Sequence, residues 1–172
     1  MIQRSLLHFP ELRGREITVG YTRVHLGSAF VAHRAGRISQ LVIRLKTRKL
    51  TYQTIGHELT HLVQALARFE NGNRPAGRWR IPSGEKPCDI WTLARAPLFC
   101  DDPPSYVRMP RRLRERWRDY AAPVRALCVA AIEKRQTHRR YIRWLEAELR
   151  RLPGCVPQPP AREQLRLPFD AR

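Results

Sequence analysis

No stretch of the 172 residues approaches the roughly 20 consecutive apolar residues that a membrane helix requires. Residues 1–15 also lack an apolar run long enough for a secretory signal, so a cytoplasmic protein is expected. Cysteine is sparse. Cys88, Cys100, Cys128 and Cys155 are widely spaced, and no Cys-x-x-Cys pair occurs. This argues against a cysteine zinc knuckle and, without an export signal, for buried thiols rather than a disulfide framework. Repeats at solenoid or propeller periods are missing. Acidic residues are few, 15 against 33 basic ones, and only four of the basic residues are lysine.

The resulting net charge of +18 is unevenly placed. Residues 1–50 and 101–172 each carry a balance of +8, and residues 51–100 only +2. Such a field attracts polyanions and favours nucleic acid as a partner. An arginine-rich solvated surface has the same composition, so charge alone leaves both readings open. Apolar residues make up 42%, enough for a core, and the length suits one domain with a tail.

The first 50 residues read as strands and turns. Ile17–Tyr21 is a short β-prone run. Residues 29–32 and 38–45 flank a tight His33-Arg-Ala-Gly36 turn and predict a hairpin. In the second run Leu41, Ile43 and Leu45 share a face, with Val42 the exception on the polar side. From Thr51 the period changes. Ile55, Leu59, Leu62, Val63 and Leu66 form one helical stripe, with Thr51 or Thr54 as cap. Residues 71–77 form a loop. A second helix is predicted over 85–96, capped by Ser83, with Pro87 tolerable only in its first turn. After a turn at 101–104, a long amphipathic helix over 111–135 with a kink at Pro123, and another over 137–151, complete a mainly helical C-terminal half. Residues 153–172, with five prolines, read as an extended, mobile tail. The expectation is an α+β domain over 1–152.

The first predicted helix carries His57-Glu-Leu-Thr-His61. Residues i and i+4 face the same side of a helix, so both imidazoles can reach one zinc at about 2.0–2.1 Å. Glu58 leaves the helix beside them and can hold a water and accept its proton. Alternatively, the three residues are a plain solvated polar face. The apolar neighbours Ile55, Leu59, Leu62 and Val63 oppose that, because they place the triplet at the edge of the core, where unpartnered ionisable groups are costly.

Downstream stands Glu85-Lys-Pro-Cys-Asp89, followed by Ile90-Trp91. HExxH followed by a helix bearing ExxxD resembles the gluzincins, the thermolysin-like zinc peptidases, over residues 51–96. The resemblance implies a zincin-like fold. It implies His57, His61 and Glu85 as zinc ligands, Glu58 as general base, and Asp89 as the acceptor that orients a ligand histidine. Pro87 departs from the pattern; if it displaces the helix start, Asp89 replaces Glu85 as ligand. A hairpin before the HExxH helix matches minimal domains of this group, and its edge could pair with an extended peptide. Tyr106, His138 and Tyr141 are candidate oxyanion donors; each is equally readable as a packing or surface residue. His8, His25 and His33 look unremarkable.

In the tail, Gln164, Leu165, Leu167 and Phe169 resemble the peptide by which bacterial proteins bind the sliding clamp, which implies the clamp as a partner. The chance alternative is a tail packed on its own core. Three functions follow as expectations: a zinc-dependent endopeptidase, acting near DNA if the charge and the tail are read together; a basic DNA-associated module with a structural or inactive metal site; and a latent protease whose C-terminal region covers the cleft.

Overall fold

A computed structural model describes residues 1–71 and 80–153. The clamp-like residues Gln164, Leu165, Leu167 and Phe169, Cys155, and most of the 71–77 loop lie outside the described residues. The chain is α+β, a small sheet followed by helices, as expected.

Three strands, β1 (Ile17–Tyr21), β2 (Gly27–Arg34) and β3 (Arg37–Leu45), lie in the order β1-β3-β2. β2 and β3 form the predicted hairpin. Its two-residue turn, Ala35 (φ 51°) and Gly36 (φ 71°), takes the left-handed geometry that matches the twist of the flanking strands. β1 pairs with β3 in parallel, placing Ile17 against Leu41 and Val19 against Ile43, so β2 is left as an edge strand. Leu41, Ile43 and Leu45 point to one buried face. Val42 is buried on the other face, between Phe30 and Thr18. There Arg44 lies 5.2 Å over the Phe30 ring and Gln40 bonds Thr18.

α2 (Tyr52–Asn71) crosses the sheet. Its stripe of Ile55, Leu59, Leu62, Val63 and Leu66 is buried, each large side chain contributing about 1.5–3 kcal/mol by leaving water. α3 (Glu85–Arg95) packs on α2, α5 (Trp117–Lys134) on α3, and α6 (Tyr141–Arg151) on α5. Val124, Cys128, Leu145 and Leu149 fill those seams.

The structure departs from expectation in four places. The first residues form a short helix, α1 (Ile2–Leu6), where strands and turns were expected. The predicted helix over 111–135 is divided into α4 (Arg111–Glu115) and α5 by Arg116, at φ −110° and ψ 38°, while Pro123 sits inside α5. Restarting at Trp117 buries its ring and lets the indole N–H donate to the Cys100 carbonyl at 2.8 Å. α6 starts at Tyr141 rather than Thr137. Ser83 does not cap α3; its hydroxyl accepts from Arg68 at 2.9 Å.

Candidate metal centre

α2 places the HExxH residues. Its start is held twice: the Thr51 hydroxyl accepts the Thr54 N–H at 3.1 Å, and Asp101 accepts the N–H groups of Tyr52 (2.6 Å) and Gln53 (2.9 Å). A carboxylate there also meets the positive end of the helix dipole. One turn in, Gly56 allows α2 and α3 to approach. A Cβ on Gly56 would lie 2.6 Å from Phe99 Cδ1 and 2.7 Å from Thr92 Cγ2.

α3 starts at Glu85. Gly84, at φ 111°, adopts a backbone conformation open to glycine, and Pro87 falls in the first turn, where its missing N–H has no helical partner. The helix is therefore not displaced. Glu85 faces α2, and Asp89, one turn on, is fully buried behind His57.

The distances define the centre. His57 Nε2 lies 2.9 Å from Glu85 Oε2, His61 Nε2 lies 3.1 Å from the same oxygen, and the two Nε2 atoms are 3.1 Å apart. The other ring nitrogens fix the tautomers. His57 Nδ1 is 2.9 Å from Asp89 Oδ1. Asp89 also receives the N–H groups of Tyr106 (2.6 Å) and Val107 (3.0 Å) and the Gln53 amide (3.3 Å). A carboxylate only accepts, so His57 Nδ1 carries the proton. His61 Nδ1 is 2.9 Å from Gln64 Oε1. The Gln64 NH2 donates to the carbonyls of Pro82 (2.5 Å) and Gly84 (3.3 Å), which fixes the amide orientation and makes His61 Nδ1 the donor.

Both Nε2 atoms therefore present lone pairs to each other and to a carboxylate oxygen. Three acceptors converge, and a positive charge belongs between them. Burial disfavours a charged His57, but the hydrogen bond and charge of Asp89, the charge of Glu58 and the bond to Glu85 outweigh it and raise its pKa. A metal ion fits the triangle. Bonds of about 2.0 Å in a tetrahedral shell put ligand atoms about 3.3 Å apart, close to the 2.9–3.1 Å spacing of these three atoms.

Cys88 joins the group. His57, His61 and Cys88 offer ligand atoms within 4.8 Å of one another and could together hold a metal ion. The Cys88 thiol is buried and faces the His57 carbonyl at 3.8 Å. Burial first, then the Glu85, Asp89 and Glu58 carboxylates, push its pKa up.

Glu58 stands beside this cluster without belonging to the triangle. Burial pushes its pKa up to about 7, against the pull of His57. Its side chain lies under the backbone of Gly27, where a Cβ would sit 2.6 Å from Glu58 Cγ and 2.7 Å from Cδ. The cluster opens into a cleft of about 690 Å³ bordered by the start of β2 (Gly27, Ser28, Ala29), by His25 and by Tyr106.

Of the candidate oxyanion donors, the structure brings only Tyr106 to the cleft. Its ring stacks on His57, with centroids 5.5 Å apart and planes at 22°. Its pKa is raised by partial burial and the Glu85 charge, so it remains a hydroxyl donor. Tyr141 is buried edge-on to Trp91 at 6.1 Å, and His138 is exposed at the end of α5. His25 lines the cleft although nothing in its sequence context marked it. His33 stacks on Phe69 at 4.7 Å, and His8 packs edge-on to Phe99. Gln64, Gly27, Cys88 and Asp101 also escaped the sequence reading. Only Gln64 left a readable signal, three residues after His61.

No protein-family model, curated protein or solved structure matches the chain.

Proposed function

We propose that the chain is a zinc-dependent metallopeptidase, with His57, His61 and Glu85 as ligands and Glu58 as general base. The observation that carries this reading is the convergence of three acceptor atoms beside a buried carboxyl, Glu58, at the floor of an open cleft. Glu85 is preferred as third ligand because its oxygen is within 3.1 Å of both Nε2 atoms, whereas Asp89 is occupied on the far side of His57. Nitrogen and carboxylate donors with room for water are the set that catalytic zinc takes.

Bound zinc would supply Lewis acidity, drawing the pKa of water toward neutrality and polarising a carbonyl. Glu58 then takes the proton from the attacking water and hands it to the leaving amine; a carboxyl poised near 7 can do both. Asp89 and Gln64 hold the two rings in the ligating tautomer. The Tyr106 hydroxyl is the donor available to a developing oxyanion. Among the described residues β2 has an unpaired edge, and its start borders the cleft, where an extended peptide can add as a strand. Exposed Val24 and Leu26 beside it offer apolar contact to substrate side chains.

A second reading rests on Cys88. If Cys88 completes a closed His57–His61–Cys88–Glu85 shell, the metal is structural and Glu58 has no catalytic work. Two variants separate the readings. Glu58→Gln is expected to retain about one equivalent of zinc and to lose cleavage of a denatured protein by at least about 10²-fold. Cys88→Ser is expected to retain both zinc and cleavage. Zinc loss in Cys88→Ser, with no cleavage by the parent chain, would establish the structural reading.

A further inference from the structure

We infer that the corner between α5 and α6 docks double-stranded nucleic acid through its backbone phosphates. Residues 134–143 contain Lys134, Arg135, Arg139, Arg140 and Arg143, with His138, and no acidic residue. Arg139, Arg140 and Arg143 are exposed, and among the described residues no carboxylate pairs with them. The arginines of α4 and the start of α5 are as dense but partly engaged. Arg111 pairs with Glu115, Arg116 with Asp119, and Arg114 donates to the carbonyls of Pro104 and Val107. Three exposed arginines without a carboxylate partner thus gather at the α5–α6 corner, against Arg112 and Arg118 over α4 and the start of α5.

Side-chain chemistry selects the partner. Arginine presents a planar fork that matches a phosphate with two hydrogen bonds. Single-stranded nucleic acid is gripped chiefly by exposed aromatic faces, and the corner offers none. Tyr141 is buried, Lys134 lies 5.0 Å over the Trp144 ring, and Arg135 lies 5.7 Å over Trp91. Phosphate contact without aromatic stacking fits a duplex gripped by its backbone.

α6 is also tied to the start of α3, where Glu85 stands. Lys86, next to Glu85, pairs with Glu146 of α6 at 2.5 Å, and the Arg108 N–H, two residues past Tyr106, points to the same carboxylate at 3.4 Å. Arg143 is three residues from Glu146, on the same side of α6 and about 4.5 Å along its axis. A docked duplex therefore lies beside the mouth that holds Glu85 and Tyr106, and proteins attached to it come within reach. That last consequence rests on the peptidase reading; the docking does not.

The test uses the full chain and a labelled duplex of about 20 base pairs, with anisotropy followed between about 50 and 200 mM salt. Replacing Arg139, Arg140 and Arg143 with Gln is expected to weaken binding by about tenfold or more and to flatten the slope of log K against log salt by about 2–3. Replacing Arg111, Arg116 and Arg151, each paired with a carboxylate, with Gln removes equal charge and is expected to change affinity by less than about threefold. Equal losses in both triple variants would overturn the assignment, as would no duplex binding by the parent chain. So would a corner variant that loses affinity for a single strand or for polyglutamate while keeping it for the duplex. Cleavage of free denatured protein is read separately and bears only on the catalytic reading.

Discussion

Gly27→Ala tests the proposed chemistry from a residue outside the motif. Gly27 begins the edge strand, and its φ is not among the positive ones, so alanine suits its backbone. The obstacle is Glu58. The new Cβ would stand 2.6 Å from Cγ and 2.7 Å from Cδ, where contact normally begins at about 3.5 Å. The carboxyl must yield by about 1 Å. Because it ends a flexible side chain, the fold loses only about 0.5–1.5 kcal/mol from a displaced rotamer, a fall in Tm of a few degrees. A general base misplaced by about 1 Å costs about 10²-fold. The expected result is thus a kcat/KM lower by about 2.7 kcal/mol in barrier, with zinc content unchanged. The assay is cleavage of a denatured protein alongside metal analysis, repeated in a Glu58→Gln background, where Gly27→Ala should add nothing. Full activity in zinc-loaded Gly27→Ala would refute the idea that Glu58, held in this position, moves the proton.

Three further outcomes are expected. Gln64→Ala strips the acceptor from His61 Nδ1 and both donors from the turn before Glu85, so zinc affinity should fall about 10–100-fold in competition with a chromophoric chelator; unchanged affinity would count against the tautomer argument. Gly56→Ala forces a methyl against Phe99 and Thr92, and overpacking of about 1–3 kcal/mol should lower Tm by about 2–10 °C. Strong chelation should abolish cleavage while leaving the far-UV circular dichroism intact, because the buried apolar core does not depend on the metal; unfolding on chelation would favour a structural metal.

What could be read from residues alone was whatever depends on short-range periodicity. The HExxH stripe and the start of α3 each lie within one element, and the hairpin joins two strands through a two-residue turn, so spacing and turn chemistry determined them. The parallel pairing of β1 with β3 was not readable, because it joins segments separated by the whole hairpin and leaves no local pattern. Gln64 acts on His61 only because Pro82 and Gly84 come close enough to orient its amide. Asp101 read as a turn residue, yet it caps a helix 48 residues earlier in the chain. Gly27 and His25 gained their place when β2 was laid along α2, a step decided by packing rather than composition. Proline chemistry pointed to a kink at Pro123 in one continuous helix, whereas the helix breaks at Arg116, where burial of Trp117 and its bond to Cys100 accompany the break.

The strongest argument for a cation is a local conflict in an otherwise satisfied interior. Among the described residues, the buried polar atoms lacking a partner are Arg95 Nε, Arg125 Nε and the Tyr141 hydroxyl. The two arginines already donate through their terminal nitrogens, to His8, Glu11 and Ala94. The centre between α2 and α3 has the opposite defect, lone pairs facing lone pairs, with the ring protons committed outward to Asp89 and Gln64. A single proton can relieve one edge of that triangle. The remaining acceptors still repel, and the surrounding hydrogen bonds prevent either ring from turning away. A divalent ion would relieve all three edges at once, and that is the physical case for the proposed metal site.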